Sequence, residues 1–306
     1  MNLFLTIDIE CYSGDYEREV YGDGLGLDYL LAKCAEAGRR ATFFVEALGA
    51  TRWGREPLDR ICSAIISAGQ EVQLHVHPVV ASIEGIDDRD DILWKHDEKT
   101  QGRLIDAGLL SLAACSVKGV NAFRAGDLAA DARTLAAMSK RGLKLGSNRD
   151  LDMKSSIRSR INGLYSVDND ICEYNGVWDL PVSVLRSPFP FLDGRYRHME
   201  ISAMGAHEMC DGLRRMKSAG YRCATILTHA DEFFRYVNGK AIPIRKNRNR
   251  LERLLEFVAG NEGMKMSVLS ECLENPVASK TQPPIVRANP LHSLGRIVEQ
   301  AWERLR

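Results

Sequence analysis

The sequence predicts an α/β protein, built as a distorted or incomplete (β/α) barrel of about seven parallel strands with outer helices. Strand, loop and helix signals alternate along the chain, and a glycine follows most of the predicted helices. Polar residues also gather where predicted strands end, which is the face on which such barrels build their sites. A doubly wound open sheet is the main alternative, because it uses the same alternation of strands and helices.

The first half of the chain alternates regularly between the two kinds of element. Short runs rich in aromatic and β-branched residues predict strands, and apolar residues spaced three and four apart predict helices. The predicted strands are residues 2–8, 41–45, 70–77 and 120–124, and the predicted helices are residues 27–37, 58–68 and 92–115. Between them, residues 78–91 form an acidic loop of a length that often carries function.

The pattern weakens in the middle of the chain and then returns. Residues 129–141 predict a helix, and residues 143–147 predict a short strand. Residues 151–194 indicate an irregular excursion that carries one strand near residues 177–184. The later elements are predicted as a helix at 206–219, a strand at 222–229, a helix at 249–259 and a strand at 264–268.

The C-terminal tail is predicted to be separate from the barrel, which takes residues 1–274. Residues 275–290 contain four prolines and are typical of a linker. Residues 291–306 predict an amphipathic helix, whose apolar positions are Leu291, Leu294, Ile297, Val298, Trp302 and Leu305. Three roles are open for this helix: packing on its own barrel, forming a dimer contact, or docking on a membrane surface.

Composition excludes several classes of protein. Lys plus Arg is 41 and Asp plus Glu is 41, so the formal charge is zero and there is no basic excess of the kind that nucleic-acid binding requires. The first residues lack a signal-peptide pattern, and no apolar run is long enough to span a membrane. The eight cysteines are scattered without a Cys-x-x-Cys pair, which favours reduced thiols. We therefore expect a cytoplasmic protein, with the inner face of the membrane as a further location if the C-terminal helix docks there.

Two histidines mark the end of the third predicted strand. Side chains two residues apart on a strand point to the same side, so His75 and His77 can aim both imidazoles at one point. Imidazole is the commonest metal-ligating side chain, and a catalytic zinc typically has three protein ligands and an open position for water. Asp8 and Glu10 end the first strand with the same spacing and offer the third ligand.

The remaining polar strand ends provide acid–base chemistry. A metal with an open position binds water and lowers its pKa to about 7. Attack by this water also requires a base and an acid. One of Asp8 and Glu10 can bind the metal while the other takes the proton, and spacing alone does not decide which. Arg124 can hold the base ionised through a bidentate pair, and His229, on another strand, suits the general acid.

These segments, taken in order, resemble the motif series of the polysaccharide deacetylases. The similar segments are residues 6–10 (TIDIE), 41–45 (ATFFV), 69–78 (GQEVQLHVHP), 123–126 (FRAG) and 226–229 (ILTH), and the resemblance spans about residues 1–270. It implies a distorted (β/α) barrel with one divalent metal ion, usually Zn²⁺, that removes acyl groups from sugars. Asp8 would then be the base, Arg124 its partner and His229 the acid. The metal ligands would be Glu10, His75 and His77.

The chain departs from the family pattern in ways that resemble a divergent His-x-His-Pro branch. The family usually has Asp where Glu10 stands, and its metal histidines are four residues apart rather than two. Gly126-Asp127 replaces the Pro-Tyr that commonly follows the arginine, and Trp178-Asp179 partly substitutes for a motif of Asp and Trp. By this resemblance Trp178, Asp179 and Asp127 are predicted to bind substrate.

The function predicted from the sequence is hydrolysis of an N-acetyl or other acyl group of a sugar by a metal-dependent hydrolase acting on amide bonds. Without an export signal, the expected substrate is an intermediate of cell-surface polysaccharide or lipopolysaccharide synthesis. One alternative is a glycoside-hydrolase-like barrel that uses paired carboxylates. Another is a catalytically degenerate barrel that binds sugar.

Overall fold

The computed structural model describes residues 1–151, 159–274, 281 and 283–304. Its strands are β1 (Asn2–Ile9), β2 (Thr42–Glu46), β3 (Glu71–Val76), β4 (Ala122–Ala125), β5 (Leu145–Gly146), β6 (Cys172–Tyr174), β7 (Val177–Asp179), β8 (Val184–Arg186), β9 (Tyr196–His198), β10 (Cys223–His229), β11 (Phe234–Val237), β12 (Lys240–Pro243) and β13 (Lys265–Met266). Its α-helices are α1 (Leu27–Glu36), α2 (Gly49–Trp53), α3 (Glu56–Ser67), α4 (Glu98–Ala114), α5 (Ala132–Lys140), α6 (Pro190–Asp193), α7 (Ala206–Ser218), α8 (Arg245–Ala259) and α9 (Pro290–Arg304).

A mostly parallel sheet of nine strands forms the centre of the molecule. The strands follow the order β10–β1–β2–β3–β4–β5–β7–β6, and β13 also pairs with β1. The pairings along β10 to β7 are parallel, whereas β6 and β7 form an antiparallel hairpin. Helices connect the parallel strands from β1 to β5 in turn, as crossover connections require. The sheet curls into a half-barrel, which confirms the predicted distorted (β/α) barrel and rules out the open doubly wound sheet.

The strands are buried because both of their faces are covered. One set of side chains packs between the sheet and the outer helices, where Leu27, Leu30 and Cys34 of α1 lie. The other set fills the interior of the half-barrel, where Phe4, Phe44 and partly buried Trp178 pack together. This arrangement explains the nearly continuous apolar runs of β1 and β2, which are typical of parallel strands covered on both faces.

Irregular chain connects the two ends of the curled sheet. Ser183 donates its backbone N–H to the carbonyl of Thr225 in β10 at 3.0 Å, and Leu227 donates to the carbonyl of Met199 at 2.9 Å. The segment predicted as one strand near 177–184 is divided into β7 and β8, because Pro181 lacks the backbone N–H that a continuous ladder needs. Residues 152–158 of the predicted excursion lie outside the described residues.

The helix predicted over residues 92–115 begins later but is unbroken, as α4. Its interior glycine Gly108 is explained by packing. A Cβ at this position would lie 2.7 Å from Leu74 Cδ1 in β3, so the absent side chain lets the helix approach the sheet closely.

The C-terminal helix α9 packs against the outside of the barrel through polar side chains. Arg296 and Ser293 are buried and contact Glu208 of α7, with the Arg296 Nε to Glu208 Oε2 distance at 2.7 Å. Leu291 and Leu294 are exposed. The predicted domain boundaries stay a prediction, and residues 275–280, 282, 305 and 306 lie outside the described residues. In the described chain, no helix has both the length and the apolar character to cross a membrane.

Candidate metal centre and active site

The side chains at the ends of β1 and β3 converge inside the open end of the half-barrel. Glu10 directly follows β1, His75 lies in β3 and His77 directly follows it. Glu10 Oε1 lies 2.8 Å from His75 Nε2 and 3.1 Å from His77 Nε2. The structure therefore brings together one carboxylate and two imidazoles, although β2 separates the two strands in the sheet.

Both histidines have an acceptor on the ring nitrogen that faces away from Glu10. His75 Nδ1 lies 2.9 Å from the carbonyl oxygen of Arg124, and His77 Nδ1 lies 2.6 Å from Asp91 Oδ2. A carbonyl or carboxylate at Nδ1 fixes the proton there and leaves the Nε2 lone pair free to bind a metal. Asp91 also accepts a hydrogen bond from the backbone N–H of Val79 at 3.1 Å, which holds its carboxylate in place.

This donor set fits a divalent metal ion. Two Nε2 lone pairs directed at a carboxylate oxygen repel one another unless a cation or additional protons lie between them. Where no cation lies there, Nε2 protons must fill that place, and the imidazoles then donate to Glu10. Burial opposes ionisation of Glu10, but these hydrogen bonds from His75 and His77 hold its pKa well below the usual range. Two histidines and one glutamate match the ligand sets that catalytic zinc uses. The three ligand atoms lie within 4.8 Å of one another, and Asp8, Glu10 and His229 form a second, overlapping group.

Asp8 and Arg124 form a buried ion pair beside Glu10, His75 and His77. Arg124 Nη1 donates to Asp8 Oδ1 at 2.6 Å, and its Nη2 donates to Thr6 Oγ1 at 2.9 Å and to Ser147 Oγ at 2.8 Å. The guanidinium also stacks on the ring of Phe44 at 4.3 Å. The other carboxylate oxygen, Asp8 Oδ2, faces the centre of the site. Arg124 thus occupies the position predicted for the partner of a base.

His229 approaches the same centre from β10. Its Nε2 lies 3.9 Å from Asp8 Oδ2 and 4.0 Å from Glu10 Oε1, while its Nδ1 lies 3.2 Å from Glu232 Oε1. Burial lowers the pKa of His229, but the hydrogen bond to Glu232 and the charges of Asp8 and Glu10 outweigh it and raise the pKa to about 10. A raised pKa favours the protonated ring, which is the form that a general acid uses.

Tyr12 is a site residue that the sequence reasoning missed. Its Oη lies 3.1 Å from Glu10 Oε2 and 3.1 Å from His77 Nε2, and its ring packs edge-on against that of His77. The side chain is about half exposed, so it lies at the mouth of the site. One signal was available, since Tyr12 continues the alternation of Asp8 and Glu10. Asp91 was also not assigned, because a loop residue has no fixed spacing to the strands.

The Gly126-Asp127 pair follows β4 and borders the site. A Cβ at Gly126 would lie 2.4 Å from ring atoms of His77, so only glycine lets this backbone pass beside the imidazole. Asp127 is exposed and has a left-handed backbone with φ 51°. Its charge contributes to raising the pKa of Tyr12, after burial, Glu10 and Asp91. Asp127 therefore lies near the mouth of the site.

Trp178 and Asp179 lie in the body of the barrel. Trp178 packs in the interior cluster that includes Phe4 and Phe44. Asp179 is fully buried, and its Oδ1 accepts a hydrogen bond from Arg149 Nε at 2.9 Å. The roles of Trp178, Asp179 and Asp127 in substrate binding stay predictions.

Comparison with known proteins establishes the fold. No protein-family model matches the sequence, and no curated protein matches it. The solved structure of a candidate polysaccharide deacetylase from Mycobacterium smegmatis matches with a TM-score of 0.55 and 16% identity, over 89% of this chain and 88% of that chain. This chain has the fold of the polysaccharide deacetylases. The fold that the motif resemblance implied is thereby confirmed.

Two further structures match over most of this chain. A 4-alpha-glucanotransferase from Thermococcus litoralis has a TM-score of 0.57 and 10% identity, over 93% of this chain but 42% of that chain. A family 4 carbohydrate esterase from Streptomyces lividans, in complex with acetate, has a TM-score of 0.48 and 13% identity, over 91% and 98% of the two chains. Likeness at this level of identity shows the fold alone, and the chemistry rests on the residues of the site.

Proposed function

We propose that this protein is a metal-dependent carbohydrate deacylase that hydrolyses an N-acetyl or other acyl group of a sugar. The observation that carries the proposal is the convergence of His75, His77 and Glu10 on one point, with Asp8 and His229 beside it. Such a site combines a metal-binding set with one group able to accept a proton and another able to donate it.

The metal ligands in this proposal are Glu10, His75 and His77, and the metal is Zn²⁺. A bound zinc ion would polarise the acyl oxygen and lower the pKa of water. The neighbouring contacts support this assignment, because the Nδ1 atoms of both histidines already have acceptors in Arg124 and Asp91. Partners of this kind orient metal-binding imidazoles.

The proton transfers fall to two other side chains. Asp8 takes a proton from the attacking water, and the ion pair with Arg124 orients its carboxylate for this purpose. His229 gives a proton to the nitrogen of the sugar as the carbon–nitrogen bond breaks. The water oxygen forms the new bond to the acyl carbon, so the products are a carboxylic acid and an amino sugar.

The proposed substrate is an acylated sugar intermediate in the synthesis of a cell-surface polysaccharide or lipopolysaccharide. The alternative function, a glycoside-hydrolase-like barrel that uses paired carboxylates, needs one carboxylic acid that keeps its proton near neutral pH. The contacts of the site disfavour this alternative, since Asp8 pairs with Arg124 and hydrogen bonds hold the pKa of Glu10 low.

The proposal is tested first by the metal content of the purified protein. We expect about one zinc ion per chain in the wild type, and its loss in His75→Ala and in His77→Ala, because each removes one of three ligands. His207→Ala is a matched control, since His207 lies exposed on α7. Wild-type protein loaded with zinc should then release acetate from N-acetylated sugar conjugates. A wild type that binds no zinc after reconstitution would contradict the proposal.

A further inference from the structure

A cavity of about 780 Å³ lies between the β11–β12 hairpin and the N-terminal end of α8. Three cationic side chains line it: Arg235 from the hairpin, and Arg245 and Lys246 from the helix. Among the described residues that line this cavity, none is acidic. Its size falls in the range of pockets that hold small organic ligands, about 300–1,000 Å³.

Two of these cations have no anionic partner within the described chain. Arg235 and Arg245 are exposed, and neither forms an ion pair with a described carboxylate. Other arginines of α8 do have partners: Arg250 Nη2 donates to Glu299 Oε2 at 2.6 Å, and Arg248 stacks on Tyr29 at 3.9 Å. The guanidinium groups at the cavity are thus left available for a ligand.

The position of these charges on the helix is itself unfavourable. The N-terminal end of a helix carries partial positive charge, so acidic residues are stabilising there and basic residues are not. The first turn of α8 has no acidic residue and no side-chain cap, and it begins with Arg245 and Lys246. A bound anion would compensate for both the helix end and the side chains.

A buried polar atom at the cavity also lacks a partner. Asn247 lines the cavity and is 4% exposed. Its Nδ2 donates to the carbonyl oxygen of Glu232 at 2.6 Å, whereas its Oδ1 has no hydrogen-bond partner. A buried acceptor without a partner costs about 1–3 kcal/mol.

The cavity adjoins the acid of the proposed reaction. Ser202 lines the cavity, and its Oγ donates to Glu232 Oε1 at 2.7 Å. The same carboxylate oxygen lies 3.2 Å from His229 Nδ1. Ser202 and Glu232 therefore link the cavity to the histidine that would protonate the leaving nitrogen.

We infer that this cavity binds a phosphoryl group of the substrate, and that the substrate is an acylated sugar carrying a phosphate or diphosphate ester. The inference rests on the proposed deacylase function for the identity of the sugar. Arginine presents a planar fork of donors that matches phosphate oxygens, and two free guanidinium groups balance the two charges of a phosphate ester. A carboxylate such as that of a uronic acid carries one charge and matches this site less well.

Direct binding tests the inference with a readout that does not depend on turnover. We expect calorimetry of the zinc-loaded protein to give N-acetylglucosamine 1-phosphate an affinity at least tenfold higher than N-acetylglucosamine or glucuronic acid. The variant Arg235→Gln/Arg245→Gln should lose this preference, because both free guanidinium groups are removed. Arg55→Gln is the matched control, since Arg55 is exposed at the N-terminal end of α3 and outside the cavity. Equal affinities in the wild type, or an undiminished preference in the double variant, would overturn the inference.

A phosphoryl group can come from a nucleotide or from a lipid carrier, and two substrates distinguish these sources. One is a uridine diphosphate N-acetyl sugar in solution, and the other is a polyprenyl diphosphate N-acetyl sugar in vesicles. Acetate release from either, reduced at least tenfold in the double variant, supports the inference and names the source. Release from neutral sugars at an equal rate overturns it but leaves the deacylase proposal intact. If phosphosugars bind but no substrate releases acetate, the result supports phosphoryl binding in the cavity and contradicts the proposed deacylase function.

Discussion

Arg124 Nη1 and Asp8 Oδ1 lie 2.6 Å apart, with both side chains buried inside the half-barrel. This ion pair joins β1 to β4, strands that are not neighbours in the sheet. It holds one oxygen of Asp8 away from the metal ligands and leaves the other directed at the centre of the site. The pair therefore separates the predicted base from the predicted ligand Glu10.

Asp8→Asn should keep bound metal and lose turnover. The change removes the proton acceptor but none of Glu10, His75 and His77. We expect kcat to fall by about 10²–10⁴-fold, the range for loss of a general base. Zinc content and kcat measured on the same preparation check this. Loss of the metal in Asp8→Asn would instead assign Asp8 as a ligand.

Arg124→Leu should destabilise the fold. It leaves the carboxylate of Asp8 buried without its partner, which costs about 3–5 kcal/mol in the free energy of unfolding. Denaturant unfolding measures the loss. The double variant Asp8→Leu/Arg124→Leu should recover part of that stability, because no unpaired charge is left. A double variant as unstable as the two losses added together would argue against coupling between the residues.

Asp91→Asn should weaken metal binding without abolishing it. Asp91 accepts from His77 Nδ1 at 2.6 Å, and loss of such a partner typically lowers metal affinity about 10–100-fold. Competition with a zinc chelator measures the affinity. Asp87→Asn is the control in the same loop, because Asp87 pairs with exposed Arg89. Equal zinc affinities in the two variants would show that Asp91 does not contribute to metal binding.

Gly126→Ala should disturb the metal site through a single methyl group. The added Cβ would lie 2.4 Å from His77 ring atoms, so the imidazole must move away from Glu10. We expect weaker zinc binding and lower activity in a folded protein. Gly163→Ala is the matched control, because a Cβ there meets no atom within 4 Å. Unchanged zinc affinity in Gly126→Ala would show that metal binding does not depend on the present position of the His77 ring.

Glu232→Gln should shift the pH dependence of the reaction. His229 acts as an acid only while protonated. Its pKa is about 10 because Glu232, Asp8 and Glu10 together outweigh the opposing effect of burial. Removing the charge of Glu232 lowers this pKa, so His229 loses its proton at lower pH. The alkaline limb of kcat/KM should move to lower pH by about one unit. An exposed control on α8, Glu256→Gln, should leave the limb in place.

The β6–β7 and β11–β12 hairpins were not predicted, although the sequence contains a turn signal for each. Asn175-Gly176 and Asn238-Gly239 both have positive φ at each residue, and they form the two-residue turns of the β6–β7 and β11–β12 hairpins. Asn-Gly between short strands is a strong hairpin signal. The chain around these turns is polar and only partly buried, so its period-two pattern is too weak to predict strands by itself.

The partners of the site residues could not be predicted for a different reason. Asp91 lies on a loop segment whose path depends on the packing of whole elements. Tyr12 shares the strand alternation of Glu10, but its contact with His77 depends on how far β1 and β3 curl toward each other. These contacts form between residues far apart in sequence, and local pattern has no information on such distances.

The sequence alone was enough to predict the parallel strands and the polar residues at their ends. Alternation of side chains along a strand requires Asp8 with Glu10, and His75 with His77, to share a face. Only the tertiary structure decided which carboxylate faces the histidines and which pairs with Arg124. The curvature of the sheet sets these distances, and curvature arises from the packing of all the strands and helices together.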